Sequence, residues 1–426
     1  MSEPPITFQE AEALRKAGQY PEAGAAFHRL WDEQGDAGSG WRYAQCLRKA
    51  GHPNAALQVI EQVVAQHPDD QWAGFELAWC IYEALVKPAR DEGHLGKLLY
   101  AGQKMIEADA QDLPLRLTVF AIVKVAKAKG KWAVVSEWCD RLDPLQLSTE
   151  PNTVGERKTM PDRERWYFAK VKALVKLEQW AEARRLALEA AQAFPRRIDF
   201  RRWAAQARAG EGDAVGGIEE LEKLARQGDP PWYIMADIAQ MQHQLGEVEA
   251  ALQRACKAAL APGEDKAKVR LFLLIAEIGL ATGRPEIAAW HVALTKAVRR
   301  REGWPIRGEL VQLEKRVTDA LAQTDAPWPD LPGDAEGLLR GCEKIWHEQA
   351  MAGLERKTGV ICHLPEGRKY GFIKPDDGGP NIYFRRREIP RRYAVVGQRV
   401  EFAIEPSYDP KKKQESVKAV DIRPIT

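Results

Sequence analysis

The sequence predicts a mainly α-helical chain, a solenoid of helical repeats, that ends in a small all-β barrel of five strands. Three observations predict it. A phrase of glycine, a bulky residue and alanine recurs at intervals near 34 residues. Beyond residue 358 the apolar period changes from that of a helix to two. Charge divides at the same place. Residues 355–426 carry 16 Lys and Arg against 10 Asp and Glu, and the residues before them 47 against 51. The whole chain of 426 residues has a formal charge of +2, so only the basic tail points to an anionic partner. Apolar residues at 45% and charged residues at 29% exclude a wholly disordered chain.

The phrase first reads Gly18, Tyr20, Ala23. It returns at Gly51, Pro53, Ala56; at Gly130, Trp132, Val135; at Gly212 and Gly217; at Gly246 and Ala251; and at Gly283, Pro285, Ala288. A copy without glycine is Glu178, Trp180, Ala183. The steps from 18 to 51, 178 to 212, 212 to 246 and 246 to 283 are 33, 34, 34 and 37 residues, with one irregular unit near 71–110. Glycine ends a first helix by accepting a left-handed backbone angle, and a second helix starts at once. Alanine then falls where the two helices cross closely. Phe27, Ile60, Leu221 and Val292, four residues further on, share its face. Pro68 and Pro195 close their units.

These spacings resemble the tetratricopeptide repeat family, with seven recognisable units and one degenerate unit over about residues 5–305. The expected first domain is 1–323, with the helical stretch 309–323 as its cap. The resemblance implies a binding scaffold, whose groove is lined by the first helix of each hairpin and takes a protein partner. Cations near the ends of those helices are Arg15, Lys16, Arg48, Lys49, Lys124, Lys127, Lys172 and Lys176. They read either as a stripe for RNA phosphates or an acidic peptide, or as cations that offset the helix macrodipole, worth about 0.3–1 kcal/mol each.

Residues 324–354 read as a linker, with Pro327, Pro329 and Pro332 close together, followed by a short helix. The third domain is 355–426. Val360–Leu364, Tyr370–Ile373, Ile382–Arg385, Val400–Ile404 and Val417–Ile422 are its strands, set apart by Pro-, Gly- and Asp-rich turns. Five strands of this length suit a closed barrel of the OB type. Alternation puts Tyr370 and Phe372 on one face, Tyr383 and Arg385 on one face of the next strand, and Ile382 and Phe384 inside. Rings amid Arg368, Lys369, Lys374, Arg385, Arg386 and Arg387 make a stacking platform for single-stranded bases.

The segment Lys369-Tyr370-Gly371-Phe372-Ile373 resembles the first ribonucleoprotein motif of the cold-shock family, and Ile382–Arg386 resembles the second. Gly397-Gln398-Arg399-Val400-Glu401-Phe402 is similar to a further strand of that family. The resemblance implies binding of single-stranded RNA or single-stranded DNA through Tyr370, Phe372 and Tyr383. Against the family pattern, His363 stands at the place of a Trp, Arg385 at that of a His and Arg386 at that of a Phe. Fewer rings and more cations imply a larger phosphate share and a steeper salt dependence. Lys411, Lys412 and Lys413 form a hairpin tip or a phosphate clamp.

Chemistry is sparse. There is no phosphate-cradling Gly loop, HExxH or GxSxG, and no metal or cofactor is implied. The pairs Arg284 with His291 and Arg340 with His347 match, loosely, the Arg-to-His spacing of HEPN-type ribonucleases. The six cysteines lack CxxC spacing, which implies neither zinc nor a disulfide framework. Without a targeting or spanning segment, the expected location is cytoplasmic with no membrane partner. The expected function is a non-catalytic adaptor. The alternatives are a protein scaffold whose barrel docks on a ribosome or nuclease, and a ribonuclease.

Overall fold

The computed structural model describes residues 6–151, 153–154, 157–226, 230–323, 327–409 and 414–425. The chain divides into two compact units, Met1–Pro195 and Arg196–Thr426.

The first unit is built of helical hairpins. Helix α1 (Phe8–Lys16) pairs with α2 (Tyr20–Gln34), and α3 (Ala37–Lys49) with α4 (Pro53–Gln66). Helix α5 (Gln71–Ile81) runs through a π turn at Tyr82–Val86 into α6 (Lys87–Asp91) and folds back as α7 (Leu95–Glu107). Helix α8 (Asp112–Ala128) pairs with α9 (Trp132–Cys139), and α10 (Asp162–Lys176) with α11 (Trp180–Ala193). Strands β1 (Thr153–Val154) and β2 (Arg157–Lys158) pair in the connection before α10.

The second unit continues the pattern on its own core. It pairs α12 (Ile198–Gly210) with α13 (Ala214–Ala225), α14 (Trp232–Gln244) with α15 (Val248–Leu260), and α16 (Asp265–Ala281) with α17 (Pro285–Arg301). Helix α18 (Glu309–Gln323) covers α16 and α17 through Leu310, Leu313, Val317 and Leu321.

The recurring phrase folds as its chemistry requires. The turn glycines at 18, 51, 130, 212, 246 and 283 all have φ between +66° and +101°. Ala23, Ala56, Val135, Ala183, Ala251 and Ala288 are fully buried at the helix crossings, and so are Phe27, Ile60, Leu221 and Val292 one turn on. Glu178 takes the glycine's place and still adopts φ +58°. A side chain there costs about 1–2 kcal/mol of backbone strain. The irregular unit near 71–110 is a hairpin as well. Its turn is Gly93, with φ +65°, and the π turn in its first helix absorbs part of the extra length.

Helix α19 (Ala335–Met351) packs against α15 and α17. Asp334 caps its start by accepting from the Gly337 N–H at 2.6 Å, and the Gln253 amide donates to the Ala350 and Ala352 carbonyls at its end. Its Trp346 stacks on Phe272 at 5.6 Å, and the indole N–H donates to His291 Nε2 at 2.7 Å. Since Nε2 accepts, Nδ1 carries the proton, and it donates to the Ile287 carbonyl at 2.7 Å. His291 is wholly buried, both its ring nitrogens are engaged, and Arg284 is bound to Glu249 and Gln349. The Arg-to-His spacing at 284 and 291 thus serves packing, with no access for a substrate. His347 is exposed on α19, and Arg340 pairs with Glu336 at 3.8 Å.

The barrel comprises β3 (Arg356–His363), β4 (Tyr370–Pro375), β5 (Ile382–Arg385), β6 (Arg399–Asp409) and β7 (Gln414–Pro424). Its closed order is β3-β4-β5-β7-β6, antiparallel at every junction except β5 with β7. Ile361, Ile373, Ile382, Phe384, Val400, Phe402, Ala419 and Ile422 fill it. Strands β6 and β7 are longer than expected. The register continues from Ile404 opposite Ala419 out to Asp409 opposite Gln414. The Lys411–Lys413 run lies outside the described residues. Glu405 on β6 joins the barrel to α15 through Lys257 at 2.6 Å, and pairs across the strands with Lys418 at 2.8 Å. Burial raises the Glu405 pKa, but Lys418 and Lys257 outweigh it and hold the carboxyl below its ordinary value. Among the described residues, no helix is long and apolar enough to cross a membrane.

Three stability outcomes follow from these features. Glu178→Gly relieves the left-handed strain and should raise the unfolding free energy by about 1 kcal/mol, read from the denaturant midpoint. Burial pulls His291 down to about 4, while the unfolded chain protonates near the ordinary 6.5. Between those values the unfolded chain binds more protons. The contribution of His291 is therefore complete above pH 6.5 and is lost as pH falls toward 4, by roughly 3 kcal/mol in all. Midpoints measured across that range should fall less steeply in His291→Gln. Trp346→Phe orphans Nε2 and should cost about 1–3 kcal/mol at neutral pH.

Candidate nucleic-acid interface

The barrel strands place four rings on one face. Pleating turns Tyr370, Phe372 and Lys374 of β4 outward and sends Gly371 and Ile373 inward. On β5, Tyr383 and Arg385 point outward while Ile382 and Phe384 are buried. Cross-strand register sets Phe372 opposite Tyr383 and Tyr370 opposite Arg385. A bulge in β3 between Ile361 and His363 turns the exposed His363 opposite Phe372, onto the same face. Tyr370 and Tyr383 stack at 5.9 Å and 29°, Phe372 meets both edge-on at 6.0 Å, and His363 lies 6.1 Å from Phe372. All three large rings are half-buried. The glycine between two of them is forced by the core: a β-carbon at Gly371 would lie 2.6 Å from the Phe384 ring.

Cations border this face. Arg368 and Lys369 lead into Tyr370 and are exposed, as is Lys374 at the far end of β4. The Arg386 N–H donates to the Lys369 carbonyl at 2.9 Å and sets those two residues side by side. Among the described residues, Arg368, Lys369, Lys374 and Arg386 have no carboxylate within ion-pair distance of their side chains. Burial and then the neighbouring Arg387 pull Arg385 below its usual value, against the opposing pull of Glu388 and Glu405. Burial pushes Tyr383 up, Tyr370 adds to this, and Arg387 opposes it. Lys418 faces Tyr383 across the parallel β5–β7 pair, a position that the sequence pattern did not single out because the pairing is non-local. The arrangement offers flat rings for bases and fixed positive charge for phosphates. The negative side chains of the β4–β5 turn are engaged elsewhere: Asp376 holds Arg399 at 2.7 Å and Asp377 holds Lys357 at 2.7 Å.

The cations expected along the repeat groove fare unequally. Arg15 binds Glu12 at 2.6 Å and also donates to Gln45, while Lys16 is exposed 3.8 Å from Glu12. Arg48 is buried in a two-pronged pair with Glu76, at 2.6 and 3.0 Å. Its charge maintains the packing of α3 on α5. Lys49, Lys124, Lys127 and Lys176 are exposed. Lys127 lies over Phe168 at 6.0 Å, and Lys172 over Trp132 at 5.8 Å.

Residues 14–80 match the tetratricopeptide repeat family model. No curated protein sequence matches the chain. Among solved structures, the chain is similar to one from the APC/C hetero-tetramer Cut9–Hcn1, at 12% identity and a TM-score of 0.35, over 72% of this chain and 54% of that one. It therefore spans about half the length of that relative. It is also similar to a tetratricopeptide repeat protein from Parabacteroides merdae, at 12% identity and a TM-score of 0.30, over 63% of this chain and 96% of that one. A third is the human IFIT1 dimer with PPP-AAAA, at 13% identity and a TM-score of 0.36, over 80% of each chain.

Proposed function

We propose that this chain is a non-catalytic adaptor that holds single-stranded RNA or DNA on its barrel and recruits a protein through its helical repeats. The observation that carries the first half is the cluster of Tyr370, Phe372, Tyr383 and His363 on one outward face, bordered by Arg368, Lys369, Lys374 and Arg386, which among the described residues have no carboxylate within ion-pair distance. The cold-shock-like motifs at 369–373 and 382–386 support the same reading. On it the barrel is the nucleic-acid module, with domain limits at 1–323, 324–354 and 355–426. Arg385 and Arg386 replace aromatic or imidazole groups of the cold-shock pattern, so phosphate contributes more than base stacking. Base preference is weak and affinity falls steeply with salt. Stacking does not read the sugar, so RNA and DNA bind comparably unless a group contacts the 2′-hydroxyl.

Fluorescence anisotropy of a short unstructured RNA and its DNA counterpart with the full chain, titrated over salt, tests this. Tyr370→Ala, Phe372→Ala and Tyr383→Ala should each weaken binding by about 1–3 kcal/mol, with the unfolding midpoint unchanged. Arg386→Ala should lower the slope of log affinity against log salt by about 1 and weaken RNA and DNA alike. A full chain that binds neither strand would leave the barrel as a docking surface for a protein.

A further inference from the structure

The first helices of the hairpins in the first unit repeat a second pattern. Ten residues before each turn residue stand Phe8, Trp41, Phe120 and Phe168, at equivalent places on one face. In the irregular unit Trp72 and Phe75 occupy the corresponding part of α5. Around α1, α3 and α5 the rings form a layered stack. The Arg42 guanidinium lies 5.0 Å from the Phe8 ring and 4.0 Å from the Trp41 ring, and Trp41 stacks on Trp72 at 6.0 Å and 21°. The stack ends in the open: Trp72 is 65% exposed and Phe75 is 47% exposed. Scattered exposed apolar side chains are ordinary, but a preformed indole shelf beside a second large ring marks an interaction surface. The arginines at this end, Arg15, Arg42 and Arg48, are all committed to Glu12 or Glu76.

At α8 and α10 the character reverses. Phe120 is buried beneath the Arg165 guanidinium, 4.2 Å from its ring, and Lys124 and Lys127 are exposed on the same helix. Arg165, Lys124 and Lys127 have no carboxylate within ion-pair distance among the described residues. Of the nearby acids, Asp162 pairs with Arg116 at 3.4 Å and Asp91 with Arg90 at 2.9 Å. The exposed rings, Trp72 and Phe75, are thus separated by hairpin from these cations, whose own ring partners Phe120 and Phe168 are buried or half-buried. A single-stranded nucleic acid presents a base and a phosphate at every step, and its platform interleaves the two, as the barrel face does. A segregated face fits a polypeptide instead.

We infer that this face docks a protein segment in which large apolar side chains adjoin a run of aspartates or glutamates. The apolar side chains pack on Trp72 and Phe75, and the acidic run lies along Lys124, Lys127 and Arg165. Buried rings at the centre of such a contact dominate affinity, and the cations set orientation and encounter rate. This deepens the protein-recruiting half of the function proposed above.

The test uses the full chain and fluorescein-labelled synthetic peptides, a glutamate run followed by Leu-Trp-Leu and the same segments in reverse order, with a glutamate run alone as control. One order should bind. Trp72→Ala should weaken it about tenfold without changing its salt dependence. Lys124→Glu with Lys127→Glu should weaken it comparably and flatten the salt dependence. Tyr370→Ala should leave it unchanged, which separates this result from failure of the barrel to bind RNA. The inference is overturned if neither anchored peptide binds better than the glutamate run. It is equally overturned if Trp72→Ala is silent, or if an oligouridylate binds the chain in a manner lost in the lysine variants and kept in Tyr370→Ala.

Discussion

Most hairpins of the helical body depend on how closely two helices can cross just after a turn. The chain must reverse within a few residues, which requires one left-handed residue, and the second helix must then lie against the first with almost nothing between them. A residue as small as alanine meets that requirement at 23, 56, 183, 251 and 288, all fully buried. Where the crossing tightens further even alanine is too large: a β-carbon at Gly217 would stand 2.8 Å from the Ala205 carbonyl oxygen. The departure from alanine at that position is therefore a packing requirement. Stacking one hairpin on the next follows, and so does the alignment of the first helices, which places side chains at the same offset from each turn on a common face.

The second unit ends by a different device. Helix α18 covers the apolar ends of the last hairpin, and α19 crosses back to α15 and α17. A buried histidine tied at both nitrogens would ordinarily suggest chemistry. Here it accepts from an indole and donates to a carbonyl, which locks one tautomer and one helix position. The barrel leaves from the end of that helix and is tied back through Glu405. Its burial is tolerable because Lys257 and Lys418 flank it. The Lys257–Glu405 pair thus ties the barrel to α15.

Two faces of the molecule use aromatic rings in opposite ways. On the barrel, strand pleating sets Tyr370, Phe372 and Lys374 of β4 and Tyr383 and Arg385 of β5 outward, so rings and cations share one small face. In the first unit, the exposed rings stand on α5, where Glu12 and Glu76 neutralise the neighbouring arginines, whereas among the described residues Lys124 and Lys127 of α8 have no carboxylate within ion-pair distance. The distribution of carboxylates, more than that of cations, decides what each face can hold.

The helical repeats were legible because they rest on local chemistry: a turn residue, a small residue five on and an apolar residue four beyond that. The irregular unit was only half legible, since Leu98 stands where alanine was sought and Gly102 gives up its space to Trp138 from another hairpin. The barrel's strands and the outward set of Tyr370, Phe372 and Tyr383 followed from alternation alone, because a period of two assigns each side chain a face. Tertiary structure decided the rest. The β3 bulge turns His363 onto the platform, parallel pairing brings Lys418 to Tyr383, and Glu76 consumes Arg48. The exposed shelf of Trp72 and Phe75 belongs to the same class, since a tryptophan in a helix reads as core until its neighbours are known. Periodicity reports which way a side chain points, whereas exposure and pairing depend on residues far away in the chain.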